Sequence, residues 1–184
     1  MLGGHLNYEA GPWRFRAGYT RIHSDVSFSG DDADLIGQRF SVDVNRYLND
    51  LIGFDELQVY SLGAAYSAGP LQLQAVWNRD IVADGETWLD TGFVSAAWRI
   101  NQWTPYLLLS RARTHDSRED PIGSNVDQST WSLGLRYDVA SNMALKAQFD
   151  HIDTRSPGLL WRGTDGNWKD DHSNLVSLGL DVIF

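Results

Sequence analysis

Alternation is the dominant pattern along this chain. In TWSLGLRYDV, residues 130 to 139, Trp131, Leu133, Leu135, Tyr137 and Val139 share one parity, while Ser132, Gly134, Arg136 and Asp138 share the other. A period of two is that of a β-strand with one apolar and one polar face. The same sorting separates Met143, Leu145, Ala147 and Phe149 from Lys146, Gln148 and Asp150, and Trp13, Phe15, Ala17 and Tyr19 from Arg14, Arg16, Gly18 and Thr20. Leu71, Leu73, Ala75 and Trp77 separate from Gln72, Gln74 and Asn78, with Val76 out of place. The last stretch sets Val176, Leu178, Leu180, Val182 and Phe184 against Ser177, Gly179 and Asp181. Bounded by turn residues, the pattern predicts about nine strands, at residues 2–10, 12–22, 56–67, 70–80, 88–100, 103–113, 129–139, 142–153 and 174–184. Residues 103–113 sort least cleanly: setting Arg111 and Arg113 on the polar face carries Leu107 and Leu109 there with them. Most of these strands run to about 9–13 residues, longer than the usual five or six and suited to a tilted crossing of a bilayer.

The connections alternate between short and long. AGP at 10–12, AGP at 68–70, NQ at 101–102 and ASN at 140–142 are tight turns, whereas 23–55, 81–87, 114–128 and 154–173 are longer and polar. One end of the sheet is therefore tight and the other elaborate. YEAGPWRF and YSAGPLQL repeat a Tyr-x-Ala-Gly-Pro pattern, each with a tyrosine just before the turn. Within 23–55, Phe40, Val44, Tyr47, Leu48 and Leu51 keep helical spacing and predict one helix, packed on the rim or folded into a lumen.

Composition narrows the class. Eight Trp, seven Tyr, seven Phe and seventeen Gly in 184 residues favour strands and tight turns. No cysteine is present, which removes disulfides and Cys-based metal or redox sites. A formal charge of -9 argues against general nucleic-acid binding. No apolar run is long enough for a transmembrane helix, but alternating strands of a membrane barrel escape that criterion. The first residues, MLGGHLNYEA, lack the layout of a secretory signal, so either a signal was removed or the chain is a piece of something longer.

Whether the apolar face points inward or into lipid is decided by its aromatics. Tyr8, Tyr66, Trp98 and Tyr137 fall near the tight turns, and Tyr19, Trp77, Trp88 and Trp131 toward the long connections. Two bands of amphipathic rings are what membrane interfaces select. With the polar opposite face and the short-turn, long-loop asymmetry, this predicts an all-β, antiparallel up-and-down transmembrane barrel. On these residues the chain resembles the C-terminal part of a Gram-negative outer-membrane porin. Its final SLGLDVIF is similar to the assembly signal of that class, with Ser177, Gly179, Val182 and the terminal Phe184 as the matching positions.

The resemblance implies an integral outer-membrane barrel, with residues 1–184 as one partial domain and 23–55 as a long extracellular loop. Bacterial single-chain barrels have even strand counts, so an odd count of nine implies missing strands. Nine strands would close to a radius of roughly 9 Å and sixteen to roughly 16 Å; the expectation is therefore the last nine of about sixteen. The implied function is passive diffusion of small hydrophilic solutes or ions, without enzymatic activity or cofactor. The implied partners are outer-membrane lipid, lipopolysaccharide and the barrel-assembly machinery; porins resembling this are often homotrimers.

The candidate lumen face carries Arg14, Arg16, Arg99, Arg111, Arg113, Arg136 and Lys146 against Glu9, Asp80, Asp138, Asp150 and Asp181. That slight basic excess suggests a mild anion preference. The simpler reading is a set of mutually neutralising pairs, such as Arg136 with acids on adjacent strands. Asp31, Asp32, Asp34, Glu119, Asp120, Asp170 and Asp171 cluster in the connections without EF-hand spacing, which reads as solvated loop. Asp150-His151-Ile152-Asp153 with Asp171-His172 is the one constellation that could host hydrolysis, yet Asp150 and His151 are strand neighbours and point to opposite faces. His5, His23 and His115 are scattered without metal-ligand spacing. A barrel-top hydrolase and a non-conducting adhesin or structural barrel remain the alternatives.

Overall fold

The computed structural model describes residues 1–23, 56–82, 87–116, 125–157 and 171–183. Nine strands, β1 (Leu2–Ala10), β2 (Trp13–His23), β3 (Glu56–Ala68), β4 (Leu71–Val82), β5 (Thr87–Trp98), β6 (Trp103–Asp116), β7 (Val126–Ala140), β8 (Met143–Pro157) and β9 (Asp171–Val182), form one sheet in sequence order. Every neighbouring pair is antiparallel, so the topology is a pure up-and-down meander with β1 and β9 at its two edges. Among the described residues there is no helix, and none long and apolar enough to cross a membrane; the helix expected within 23–55, the acidic clusters apart from Asp171, and Phe184 lie outside them.

The tight turns follow from their residues. Gly11 and Gly69 take φ of 59° and 55°, each just before a proline, and Asn101 takes 54°. Left-handed backbone at the first central position matches the twist of a two-residue hairpin, and glycine adopts it without a Cβ penalty. This is the physical content of the repeated Tyr-x-Ala-Gly-Pro. The far end of β9 is tied to the last tight turn: Ile183 N donates to Asn142 O at 2.9 Å and Asn142 Nδ2 donates to Ile183 O at 3.2 Å.

Residues opposite one another in an antiparallel pair share a face. Following the register joins Ala17, Leu62, Trp77 and Gly92 in one row from β2 to β5, and Leu107, Leu133 and Phe149 in another from β6 to β8, all on the apolar face. The polar face joins Gln74 to Ser95, Leu108 to Ser132, and Ser132 to Asp150.

The burial of the two faces is inverted relative to a water-soluble protein. Among the described residues the buried polar side chains are Ser132, Asp150 and Thr154, and the one buried apolar residue is Ala144, all four on the polar face. On the apolar face Leu62, Val94, Leu107, Leu133 and Leu178 are all exposed, Leu178 to 83%. A sheet with oily residues outside and polar ones sheltered is stable when hydrocarbon covers the first and water wets the second.

The polar face is locally close-packed. Tyr106 lies over Gly134, where an added Cβ would run into its ring, and reaches across β7 to donate from its hydroxyl to Gln148 Oε1 at 2.7 Å. Gln148 Nε2 in turn donates to Asp150 Oδ1 at 2.7 Å. An aromatic ring laid over a strand glycine covers exposed backbone and pins the register.

The strands differ from the expected ones chiefly at their long-connection ends. β6 reaches Asp116, β7 begins at Val126, β8 reaches Pro157 and β9 begins at Asp171, each about three or four residues beyond the alternating pattern. These extensions carry polar residues of both parities, so hydrophobic periodicity does not register them. Backbone ladders and cross-strand side-chain pairs hold them instead. As a result Asp171 and His172 belong to β9 rather than to the preceding loop.

Candidate functional site: the two walls of the sheet

The register decides where each expected site residue stands. On the polar face, near the tight-turn end, a chain of ion pairs crosses from the end of β5 to β9. Arg99 Nη2 lies 3.0 Å from Asp138 Oδ2, Arg136 Nε 2.7 Å from Asp138 Oδ1, Arg136 Nη1 3.7 Å from Asp181 Oδ2, and Lys146 Nζ 2.6 Å from Asp181 Oδ2. Three cations thus share two carboxylates, all partly exposed. At the other edge of the sheet Arg14 Nε sits 3.5 Å from Glu9 Oε1 across the first hairpin. Arg16 faces Asn7 and Gly63 and makes no ion pair among the described residues. Asp80 lies opposite Val59 and Leu89 at the long-connection end of the same face. Asp150 is buried under Gln148 and Ser132. Ser177 and Gly179 of β9 face Gln148 and Lys146 on this wall, while Val182 faces Met143 on the other.

Arg111 and Arg113 are not on this wall. Arg111 stands opposite Gly92 and Ser129, and Arg113 opposite Asp90 and Asp127, on the face of Leu107, Leu109, Leu133 and Trp131. Their expected placement followed polarity; the strand follows parity, and they share the parity of Leu107 and Leu109. Removing them leaves five expected basic residues on the polar face against five acidic ones, so the basic excess disappears.

The apolar face itself has two zones. Between Trp13, Tyr66, Trp98, Trp103 and Tyr137 near the tight turns and Tyr19, Tyr60, Trp77 and Trp131 further along, it is aliphatic and aromatic. Neighbouring rings meet at 4.8 Å for Trp13–Tyr66, 5.0 Å for Tyr19–Tyr60 and 4.3 Å for Trp103–Tyr137. Beyond the second ring band the face turns polar. Arg79, Asp90, Arg113 and Asp127 are successive cross-strand partners from β4 to β7, a row of alternating charge. Arg79 clamps Asp90 with two bonds of 2.8 Å, its guanidinium 5.3 Å from the Trp77 ring and 5.7 Å from Trp88. Arg21 pairs with Glu56, and Gln58 donates to Glu56 at 2.8 Å.

Parity alone would have shown this collar, since Arg79 follows Trp77 by two residues and Arg111 follows Leu109 by two.

The histidine–aspartate constellation is also rearranged. Asp150 pairs with Ser132 and His151 with Trp131, on opposite faces as strand geometry requires. His151 meets Asn174 at 2.8 Å and Asp153 at 3.4 Å, and its ring lies 5.8 Å from that of His172, all in the collar of the apolar face. Among the described residues no group of His, Asp and Glu is arranged to hold a metal ion.

Comparison with known proteins agrees with this architecture. The sequence matches the model of a Gram-negative porin family over residues 1–157. No curated protein matches it significantly. Similar solved structures include the outer-membrane-expressed OmpT of Vibrio cholerae, 14% identical with a TM-score of 0.56, covering 97% of this chain and 54% of that one. Another is Salmonella typhi OmpF in complex with daunomycin, 14% identical with a TM-score of 0.57, covering 97% of this chain and 49% of that one. The chain thus spans about half the length of these structures, and at such identity the likeness speaks for the fold. With a family match over most of its length, and with an inverted, aromatic-banded sheet, the chain belongs to the Gram-negative porin family as an integral outer-membrane β-barrel protein.

Proposed function

We propose that the polar face of this sheet lines a water-filled passage through which small hydrophilic solutes and ions diffuse passively. The observation that carries the reading is the inversion of the two faces, with ion pairs and amides gathered on one wall and exposed leucines on the other. Membership of the porin family and a fold shared with structures about twice as long support a sheet that forms part of a larger barrel. On the expected lining residues the cations and carboxylates balance, and most are paired. The anion preference suggested by the sequence therefore reduces to a weak local field near Arg16. Homotrimeric assembly, contact with lipopolysaccharide and delivery by the barrel-assembly machinery through β9 belong to the same proposal.

An enzymatic reading is less well supported. Asp150 and His151 stand on opposite walls, and the cluster of His151, Asp153 and His172 faces outward with the exposed leucines and tryptophans of the same face. Conductance of the full-length protein in planar bilayers tests the proposal. Stepwise openings are expected, Arg16→Glu and Lys146→Glu should move the reversal potential toward cations, and Arg111→Glu should leave it unchanged. A correctly folded barrel that never conducts would sink the diffusion reading in favour of a structural or adhesive role.

A further inference from the structure

Val76, out of step with the alternation of its strand, stands on the polar wall between Gln74 and Asn78. Its cross-strand partners there are Gly63 on β3 and Phe93 on β5, and on the far side of Gly63 stands Arg16. A cation, a bare glycine and two apolar side chains thus share one row across four strands. Nothing in the backbone requires glycine at position 63: its φ is not in the left-handed region, and an added Cβ would meet no atom closer than 3.9 Å. That Cβ would lie 3.9 Å from Arg16 Cβ and 4.0 Å from Val76 Cγ2, in ordinary contact with both. The missing side chain instead leaves the floor of an open hollow of about 540 Å³, which Asn7, Ala65, Gln74 and Asn78 also line.

The charge around the hollow leaves Arg16 over. Among the described residues of this part of the wall the cations are Arg14 and Arg16 and the carboxylate is Glu9, which lies 3.5 Å from Arg14. The next acid on the same face, Asp80, is four residues further along β4 than Val76 and two strands away from Arg16, roughly 17 Å in all. An exposed ion pair in water is weak by itself, so a small inorganic anion or a bare carboxylate is held little here. A carboxylate that carries an apolar body is held at both ends, by the guanidinium fork and by displacing water from Val76 and Phe93. Three strand spacings separate Arg16 from Phe93, about 14 Å between backbones. Less the two side chains, that span fits a carboxylate joined to a ring by a short chain.

We propose that this row is a binding station for organic monocarboxylates with an aromatic or branched aliphatic body, the carboxylate on Arg16 and the body over Gly63 against Val76 and Phe93. The inference rests on the polar wall lining a passage and adds a class of solute to it. Neither the charge nor the apolar pair suffices alone, which separates the station from a general attraction of anions.

Single-channel recording of the full-length protein with phenylpropionate in the bath reads binding as brief interruptions of the open current. At equal concentrations the interruptions should be at least about tenfold rarer with propionate, which lacks the ring, and with phenylpropionamide, which lacks the charge. Arg16→Gln should weaken the block by about tenfold or more and Phe93→Ser by about threefold or more. Gly63→Val should weaken it with every charge kept, and Arg111→Gln should leave it unchanged. Heat-dependent gel migration identifies variants that fold. An equal block by propionate or by the amide, or an undiminished block in folded Gly63→Val, overturns the station and leaves the passage standing. A folded barrel that never conducts overturns the passage, and ligand NMR then decides the station. Broadening of the phenylpropionate ring-proton signals that is lost in Gly63→Val upholds it, and broadening equal in the two proteins overturns it.

Discussion

Two zones of the same face teach different things about this sheet. Below the line of Trp77 and Trp131, the apolar wall shows leucine, valine, alanine and aromatic rings, many of them more than a third exposed. Above that line the same parity of the same strands shows Arg79, Asp90, Arg113 and Asp127. Backbone geometry is continuous across the line; what changes is the solvent each row is built for. A face of a membrane strand is therefore not apolar or polar as a whole, and its chemistry has to be read residue by residue against depth.

The contrast can be broken by moving charge down the face. Leu107→Arg places a guanidinium between Ala96 and Leu133 in the middle of the apolar zone. It should destabilise the folded protein in lipid by about 2–4 kcal/mol in reversible denaturant titrations from bilayers, as depth scales for barrel proteins indicate. A loss below about 1 kcal/mol would show that this zone does not face hydrocarbon. Trp131→Ala removes the ring that meets Phe149 and His151 at 5.5 Å each. The expected loss in the same titration is about 2 kcal/mol, from buried area and ring contact together. Ser129→Arg, one row above Trp131 and beside Arg111, should cost no more than about 1 kcal/mol. If it costs as much as Leu107→Arg, the boundary lies higher on the sheet than Trp131.

Much of the fold was legible because strand periodicity is a local property. All nine strands, their order of short and long connections and the hairpin glycines follow from alternation and turn chemistry, and the inner boundaries differ from expectation by at most two residues. The outer boundaries were less legible. Thr114, His115 and Asp116 on β6 and Thr154, Arg155 and Ser156 on β8 have no apolar parity, and their strand state comes from cross-strand partners, Leu89 and Trp88 on β5 for the first set and Gln128 and Asp127 on β7 for the second. Of the expected lining, Arg136, Lys146, Asp138 and Asp181 gather into one ion-pair chain. Arg111 and Arg113 go to the other wall because β6 keeps its phase through Leu107 and Leu109, and a strand changes phase only at a bulge.

By itself the sequence determined the number of strands, their meander order and the existence of one oily and one polar surface, since each depends on residues no more than a few positions apart. Only the tertiary structure decided which charges meet. Pairing Arg113 with Asp127, or Lys146 with Asp181, depends on the register between strands, which the pleat and the hairpin turns set for whole rows at once. The structure also decided that the two arginines of β6 stand at the edge of the apolar wall, where a parity shared with leucine outweighs the character of the side chain.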